Sequence, residues 1–442
     1  MADSAQTSSE PGRGVDGRPV YIVDGSRTPF LKARGGPGPF TPVDLAVQCG
    51  RPLLLRQPFA PDAFDEVILG CVNVIADEQN PARVAALRLG MGAAMTAFTV
   101  QINCGSGMQS IDTAFRTIRE GSADLILAGG TEALSHSPLI LREAAVEWFA
   151  ALSSAKGAVA KAKVLANFRP DFAVPVIGLE RGLTDPVVDL NMGQTAEIVA
   201  HLFDISRLQA DEYAVESHRR LARAQAEGYL ANEVVPAFAR DGTVYEQDNG
   251  VRPDSSVEKL AQLKPAFEKP WGKVTPGNSS QITDGASWVI LASEKAVKEH
   301  GLQPIAVIRD SEWSALDPSI MGLGPVLCSS TLMKRHRLSL DDIALWELNE
   351  AFAAQVLACL AAFEDEDFCR RVLGWEGAVG RIDRDRLNVD GGAISLGHPV
   401  GTSGNRIVLH LVNAMRRLNL KRGIATECIG GGQGGAMLIE IV

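Results

Sequence analysis

Apolar residues in this chain fall into short runs, separated by stretches with helical periodicity. Val20-Tyr21-Ile22-Val23 predicts a first strand. Helical spacing follows from Val43 to about Leu55, then a second strand over Val67 to Cys71 and a helix near Pro81 to Leu89. Ala97-Phe98-Thr99-Val100 predicts a third strand. It runs into Asn103-Cys104-Gly105-Ser106-Gly107-Met108, after which Met108, Ile111, Ala114, Phe115 and Ile118 recur at helical spacing. Leu125 to Ala128 predicts a fourth strand, ending in Gly129-Gly130-Thr131-Glu132. Residues 137–272 then lose the rhythm. Helical stretches (Arg142 to Ala150, Ala155 to Ala166, Thr195 to Leu202, Ala210 to Glu227) alternate with loops rich in Pro, Asp and Gly, which predicts an inserted loop subdomain covering a site. Asp284 to Leu291 restores the pattern as a fifth strand.

The pattern then restarts. Ile305 to Arg309 echoes the first strand and Ile343 to Glu347 the second. Leu387-Asn388-Val389 leads into a Gly-rich turn and a helix from about Thr402 to Leu418. Ile424 to Cys428 ends in Gly430-Gly431-Gly432, and Ala436 to Ile441 closes the chain. A repeat of this kind fixes an architecture. It predicts two similar α/β halves, with the helices after Cys104 and Gly401 packed between them. The expected division is a disordered tail over 1–18, a first half over 19–136 and 273–300, the insertion over 137–272, and a second half over 301–442.

Composition narrows the class. The 442 residues are 46% hydrophobic, enough for two or three sizeable cores. A net charge of −10 gives no case for nucleic-acid binding. Seven cysteines without a Cys-x-x-Cys pair predict free thiols in a reducing compartment, with neither disulfides nor zinc. No apolar run approaches the roughly 18 residues of a membrane span. Met1 to Gly17 has no apolar core and carries Asp3, Glu10 and Asp16, unlike a signal or transit peptide. A cytoplasmic location is expected.

Four segments stand at strand ends or helix starts: Cys104 with its flanks, Asn349-Glu350-Ala351-Phe352, Gly397-His398-Pro399-Val400-Gly401, and Cys428-Ile429-Gly430-Gly431-Gly432. Together they offer two thiols, an imidazole, an amide and exposed backbone N–H groups. That inventory suits acyl transfer through a thioester: a thiol attacks a carbonyl, histidine takes its proton, fixed donors meet the developing oxyanion, and a second thiol moves a proton to or from carbon. A helix N-terminus at Cys104 favours a thiolate. Each residue also has a plain structural role open to it. Cys104 and Cys428 are equally small core residues, His398 a turn residue, and Asn349-Glu350 a cap for the helix after them.

Cys-Gly-Ser-Gly-Met-Gln, Asn-Glu-Ala-Phe-Ala, Gly-His-Pro-Val-Gly-Thr-Ser-Gly and Cys-Ile-Gly-Gly-Gly-Gln-Gly, in this order, resemble the four active-site motifs of the thiolase family. The resemblance spans about residues 19–442 and includes Met192-Gly193-Gln194-Thr195-Ala196-Glu197 and Gly277-Asn278-Ser279-Ser280. It implies duplicated α/β halves in a five-layered α-β-α-β-α arrangement. It also implies a 3-ketoacyl-CoA thiolase of fatty-acid β-oxidation, with coenzyme A and acyl-CoA as substrates and no permanently bound cofactor or metal. Position by position, Cys104 matches the acylated nucleophile and His398 the histidine that activates it. Asn349 matches the residue that holds a water beside His398 in one oxyanion hole, and the N–H groups of Cys104 and Gly430 match the second hole. Cys428 matches the acid/base at the α-carbon, Ser280 a serine contacting coenzyme A, and Met192 a position near the pantetheine path. Alternatives are an acetoacetyl-CoA thiolase working by Claisen condensation and a non-catalytic acyl-CoA or lipid carrier. A β-ketoacyl synthase relative is disfavoured by Cys428.

Some positions depart from the family. Asn191 stands where some members have His, and Gln281 and Thr283 replace residues common in short-chain members. Asp248 to Pro253 and Leu263 to Phe267 resemble the β-subunits of trifunctional fatty-acid-oxidation complexes, although those usually carry His where this chain has Asn349. Residues 138–175 hold helical pattern and a formal charge of +2. In such β-subunits this region meets the partner subunit or the membrane; a solvated helical cover is the alternative. The resemblance implies a homodimer or homotetramer, or a complex with a hydratase/dehydrogenase α-subunit, and peripheral membrane contact through 138–175.

Overall fold

The computed structural model describes residues 17–442. Most of the tail expected over 1–18 lies outside the described residues. Arg18 is tied down, donating to the Ile118 and Ala123 carbonyls and to Asp124. One mixed sheet runs through the molecule. In the first half the strand order is Thr96–Val100, Glu66–Gly70, Leu125–Ala133, Thr283–Ser293, Val20–Arg27. In the second it is Ala306–Ala315, Gln433–Ile441, Arg422–Ile429, Leu345–Leu348. The halves join where Val20, Tyr21 and Ile22 pair antiparallel with Ile308, Val307 and Ala306.

The repeat extends to atomic detail. Both first strands carry an irregularity at the same point, between Ile22 and Asp24 and between Ile308 and Asp310. At each, the aspartate accepts the next residue's N–H, Gly25 at 2.8 Å and Ser311 at 2.9 Å. An arginine then reaches each aspartate from the end of a helix: Arg56 after Pro42–Leu55, and Arg335 in Gly324–His336. The bulges kink and twist the two strands alike, and so give the two half-sheets the same shape.

Three apolar cores define the layers. One lies between the first half-sheet and the outer helices Pro42–Leu55 and Pro81–Arg88. A middle core surrounds Ser106–Glu120 and Val400–Leu418, the latter with 14 of its 19 residues buried. The third lies between the second half-sheet and Gly324–His336, Ala353–Glu364 and Met192–Leu202. This is the α-β-α-β-α stack that the resemblance implies, with the central helices that the repeat predicts. The middle helices approach closely because Gly107 has no side chain; a Cβ there would lie 2.8 Å from Asn405 N and 2.9 Å from Gly401 O.

The middle layer is not wholly apolar. Arg27 pairs with Asp248 at 2.7 Å and Glu233 at 2.8 Å, and Glu233 also meets His410 Nδ1 at 2.9 Å. Burial disfavours a charge on His410, but the Glu233 and Glu347 carboxylates override it and push its pKa up to about 10. These pairs tie two insertion residues, Glu233 and Asp248, to the first strand and the last helix. Removing one member of such a buried pair costs roughly 3–5 kcal/mol.

Three expectations need correction. Leu387-Asn388-Val389 is not a strand; a single bridge from Leu387 to Trp346 is all that forms. Asn388 takes a left-handed turn there (φ 47°), and its side chain caps the neighbouring strand at Leu348 instead of extending a ladder. The helix after Asn349-Glu350 begins at Ala353 and is not capped by either of them, the plain role open to the pair; its cap is Phe352, without a side-chain bond. The helix expected over Ala155 to Ala166 begins at Ala158, because Gly157 (φ 81°) breaks it from Glu143–Ser154.

Candidate active site

Cys104 follows Asn103, whose backbone is left-handed (φ 47°), two residues before the helix Ser106–Glu120. Asn tolerates this conformation better than most residues. The turn is fastened by Ser106 Oγ, which donates to Asn103 O at 2.7 Å and accepts from Ile102 N at 2.9 Å. Asn103 Nδ2 donates to Gly430 O at 2.8 Å and so locks the first-half turn to the second-half turn. Cys104 as a residue is partly exposed, yet protein surrounds its sulfur. Burial pushes its thiol up to about 12; the N–H groups of Gly430 and of Cys104 itself pull the other way, and the Glu427 and Glu132 carboxyls add to the rise. The resting group is therefore a thiol. The helix start alone does not make it a thiolate, because burial outweighs a half-charge at a helix end.

His398 sits between Gly397 (φ 114°) and Pro399. Its N–H donates to Gln281 O at 2.9 Å. Ring Nδ1 lies 2.6 Å from Ser403 Oγ, and Nε2 faces Asn349 Nδ2 at 3.5 Å. Ser403 Oγ is also 3.4 Å from Pro399 O, to which it can donate. With Ser403 donating onward and an amide N–H facing Nε2, the proton is assigned to Nδ1 and Nε2 is left as acceptor. Burial, then the Arg406 cation, push the imidazole down to about 4. At neutral pH His398 is an uncharged base.

Asn349 leaves the strand Leu345–Leu348 with its N–H on Thr426 O. Its buried Oδ1 has no protein partner among the described residues. Cys428, fully buried near the end of Arg422–Ile429, packs with Met321 and Ala351, flanked by Met192 and Phe352. Burial, then the neighbouring Cys104 sulfur, raise its thiol well above the ordinary range. The two thiols are electrostatically coupled, so ionising one opposes ionising the other. Gly430 leaves room for Met192, whose sulfur would lie 3.2 Å from a Cβ there. Ser280 donates its N–H to Ala351 O, and Ser279 bridges Phe352, so this strap lies against the Asn349 loop.

The structure thus links Cys104 to Gly430 and Cys428, Met192 to Gly430 and Cys428, Asn349 to His398, and Ser280 to the Asn349 loop. Asn191 does not face the site as a substitute for histidine. It caps Met192–Leu202 through Gly193 N at 2.9 Å, in a capping box with Gln194. Sequence reasoning missed Ser403 and Asn103. Ser403 was detectable as a hydroxyl one turn past Pro399, and Asn103 as an Asn at a strand-to-helix turn.

Two neighbouring thiols from the two halves, together with a neutral histidine that faces an amide, are an inventory suited to acyl transfer through sulfur. The chain matches the model of the thiolase N-terminal domain over residues 20–295 and that of the thiolase C-terminal domain over 302–441. It belongs to the thiolase family. It is 39% identical over 432 residues to a 3-ketoacyl-CoA thiolase of Serratia proteamaculans, covering 96% of this chain and 99% of that one. It is 36% identical over 424 residues to the mitochondrial trifunctional enzyme subunit beta of Bos taurus, covering 96% and 88%. The human mitochondrial 3-ketoacyl-CoA thiolase solved in complex with CoA superposes with a TM-score of 0.82 at 36% identity, over 96% of this chain and 98% of that one.

Proposed function

We propose that this chain is a 3-ketoacyl-CoA thiolase acting in the degradative direction, with Cys104 as the nucleophile. The observation that carries this is the fastening of the Cys104 turn to the Gly430 turn, where Asn103 Nδ2 donates to Gly430 O at 2.8 Å and sets the Cys104 thiol beside Cys428. His398 Nε2 takes the thiol proton as sulfur attacks the 3-keto carbon; the thiol is deprotonated in the step, not before it. Asn349, through a water on its free Oδ1, and His398 serve one oxyanion, while the two N–H groups serve the other. The carbon–carbon bond breaks, Cys428 delivers a proton to the departing acetyl-CoA carbanion, and a second coenzyme A lifts the acyl group from Cys104. Met192 and Ser280 flank the path of the coenzyme arm. The insertion over 137–272 covers the site between the two halves, and coenzyme A comes and goes as substrate. The free cysteines suit the reducing conditions of the cytoplasm.

The test is one thiolysis assay across 3-ketoacyl-CoAs of increasing length, with mass spectrometry of the enzyme after exposure to acyl-CoA. An acyl adduct on Cys104 with turnover of medium or long chains supports the reading. Turnover confined to acetoacetyl-CoA moves it to the short-chain alternative, and no adduct removes it.

We further infer that the segment 138–175 docks on a surface outside the chain as the protein works, in a homodimer or larger assembly. Among the described residues, no helix is long and apolar enough to cross a membrane. Yet this segment exposes Leu139, Val146, Phe149, Val159, Leu165 and Phe168 beside Lys156, Lys161 and Lys163. Apolar side chains set among cations suit an anionic lipid surface. Cosedimentation with anionic vesicles tests this. Loss of binding on replacing Phe149 and Val159 with Asp supports it, and a defined complex with a hydratase/dehydrogenase subunit but no vesicle binding overturns it.

A further inference from the structure

Glu350 is 1% exposed and stands next to Asn349 in the chain. Its two carboxyl oxygens take four donors from two separate segments. Tyr213 Oη donates at 2.9 Å and Ser217 Oγ at 2.7 Å, both from the insertion helix Arg207–Ala226. Asn388 Nδ2 donates at 3.0 Å, and Ile394 N–H at 3.3 Å from the loop that leads to His398. The same loop presses on the carboxyl at Gly392, where a Cβ would lie 2.4 Å from Glu350 Cδ. Ser217 grips this loop a second time, 2.9 Å from Ser395 Oγ and 3.3 Å from Gly392 N. One side chain therefore holds Asn349, its covalent neighbour, and the His398 loop together. The insertion helix supplies half of the donors.

We propose that Glu350 is a positioning residue for the Asn349–His398 pair, and that helix Arg207–Ala226 holds it in place through Tyr213 and Ser217. The inserted subdomain is then part of the catalytic frame as well as a cover over it. The proposal rests on the pairing of Asn349 and His398 in the proposed thiolysis. Asn349 Nδ2 and His398 Nε2 stand 3.5 Å apart, at the limit of a hydrogen bond, so a small shift of either loop changes where an oxyanion is met. A carboxyl can accept from all four donors, whereas a glutamine has one acceptor oxygen and turns two N–H groups toward the others.

The test measures steady-state thiolysis and the thermal midpoint of four proteins: the unmodified enzyme, Glu350→Gln, the double variant Tyr213→Phe/Ser217→Ala, and the combination of all three changes. Glu350→Gln is expected to lose about 10–100-fold in kcat with KM changed less than about threefold, since misplacement by an ångström costs this much. The helix variant, which alters no residue of either loop but also gives up the Ser217 bonds to Ser395 and Gly392, is expected to lose about 3–10-fold in kcat, and the combination to lose less than the product of the two separate losses. Strictly multiplicative losses overturn the proposal, as does a kcat within twofold of the unmodified enzyme in the helix variant. If Glu350→Gln does not fold, the helix variant decides alone through its kcat-against-KM split. Absence of a Cys104 adduct in the unmodified enzyme, by contrast, defeats the functional reading itself and is seen before any variant is made.

Discussion

Asn103 and Asn388 occupy equivalent turns of the two halves and share the same left-handed backbone, φ 47° at each. Beyond these turns the two halves diverge. After Asn103 the helix starts within three residues, and Cys104 stands in the turn itself. After Asn388 the chain makes a glycine turn, a short helix over Ala393–Leu396 and the Gly397-His398-Pro399 bend before Val400–Leu418 begins. The side chains differ as well. Asn103 reaches across to Gly430 in the other half, while Asn388 bonds to Leu348 and Glu350 of its own half and to Tyr213 of the insertion helix. A duplicated frame supplied two like turns. The short one carries a thiol, and the long one carries an imidazole that faces Asn349.

The comparison can be broken or sharpened by experiment. Cys104→Ala has the largest expected effect, a loss on the order of 10⁴-fold or more in thiolysis with no acyl adduct by mass spectrometry. An adduct that persists would mean the short turn does not carry the nucleophile. His398→Ala is expected to cost about 10²–10⁴-fold in the rate of Cys104 acylation. Its pH signature is sharper than its size. A protonated imidazole cannot accept the thiol proton, and burial holds this imidazole's pKa at about 4. Acylation should therefore persist as pH falls past the usual imidazole value of about 6.5 and fail only near pH 4. A limb near the usual value in the single-turnover profile would contradict the burial argument.

Stability variants come next. Asn388→Ala gives up several bonds and a left-handed backbone that alanine tolerates poorly, an expected loss of about 2–4 kcal/mol in denaturant unfolding. Asn103→Ala gives up one cross-half bond with the same backbone cost, about 1–2 kcal/mol. Equal losses would show that the two turns are not held as differently as their contacts indicate.

Sequence pattern reached much of this. Period and order gave the duplicated α/β frame, because a strand buried on both faces and a helix with one buried stripe leave distinct marks. They misplaced Leu387–Val389, where three residues of strand-like composition are turned by Asn388 and stopped by one side-chain cap. The positions that approach the thiol were legible from the motifs, but the protonation of Cys104 was not. A helix start is visible in sequence; the depth of protein around the sulfur is set by segments hundreds of residues away. Glu350 shows the same limit. Next to Asn349 it reads as a helix cap, and only the fold brings Tyr213, Ser217, Asn388 and Ile394 to its oxygens.

The strand order also has a consequence for synthesis. Thr283–Ser293 lies between Leu125–Ala133 and Val20–Arg27, so the first strand's neighbour in its own half-sheet is the last strand of that half to be made. Its other partner, Ala306–Ala315, comes later still. At about 5–20 residues per second, Val20–Arg27 waits roughly 13–50 s on the ribosome before either edge can be filled. Through that interval Val20 and Ile22, both fully buried in the finished enzyme, have no place in the sheet. The nascent chain thus displays an unpaired apolar strand for most of its translation, the kind of segment that chaperones bind.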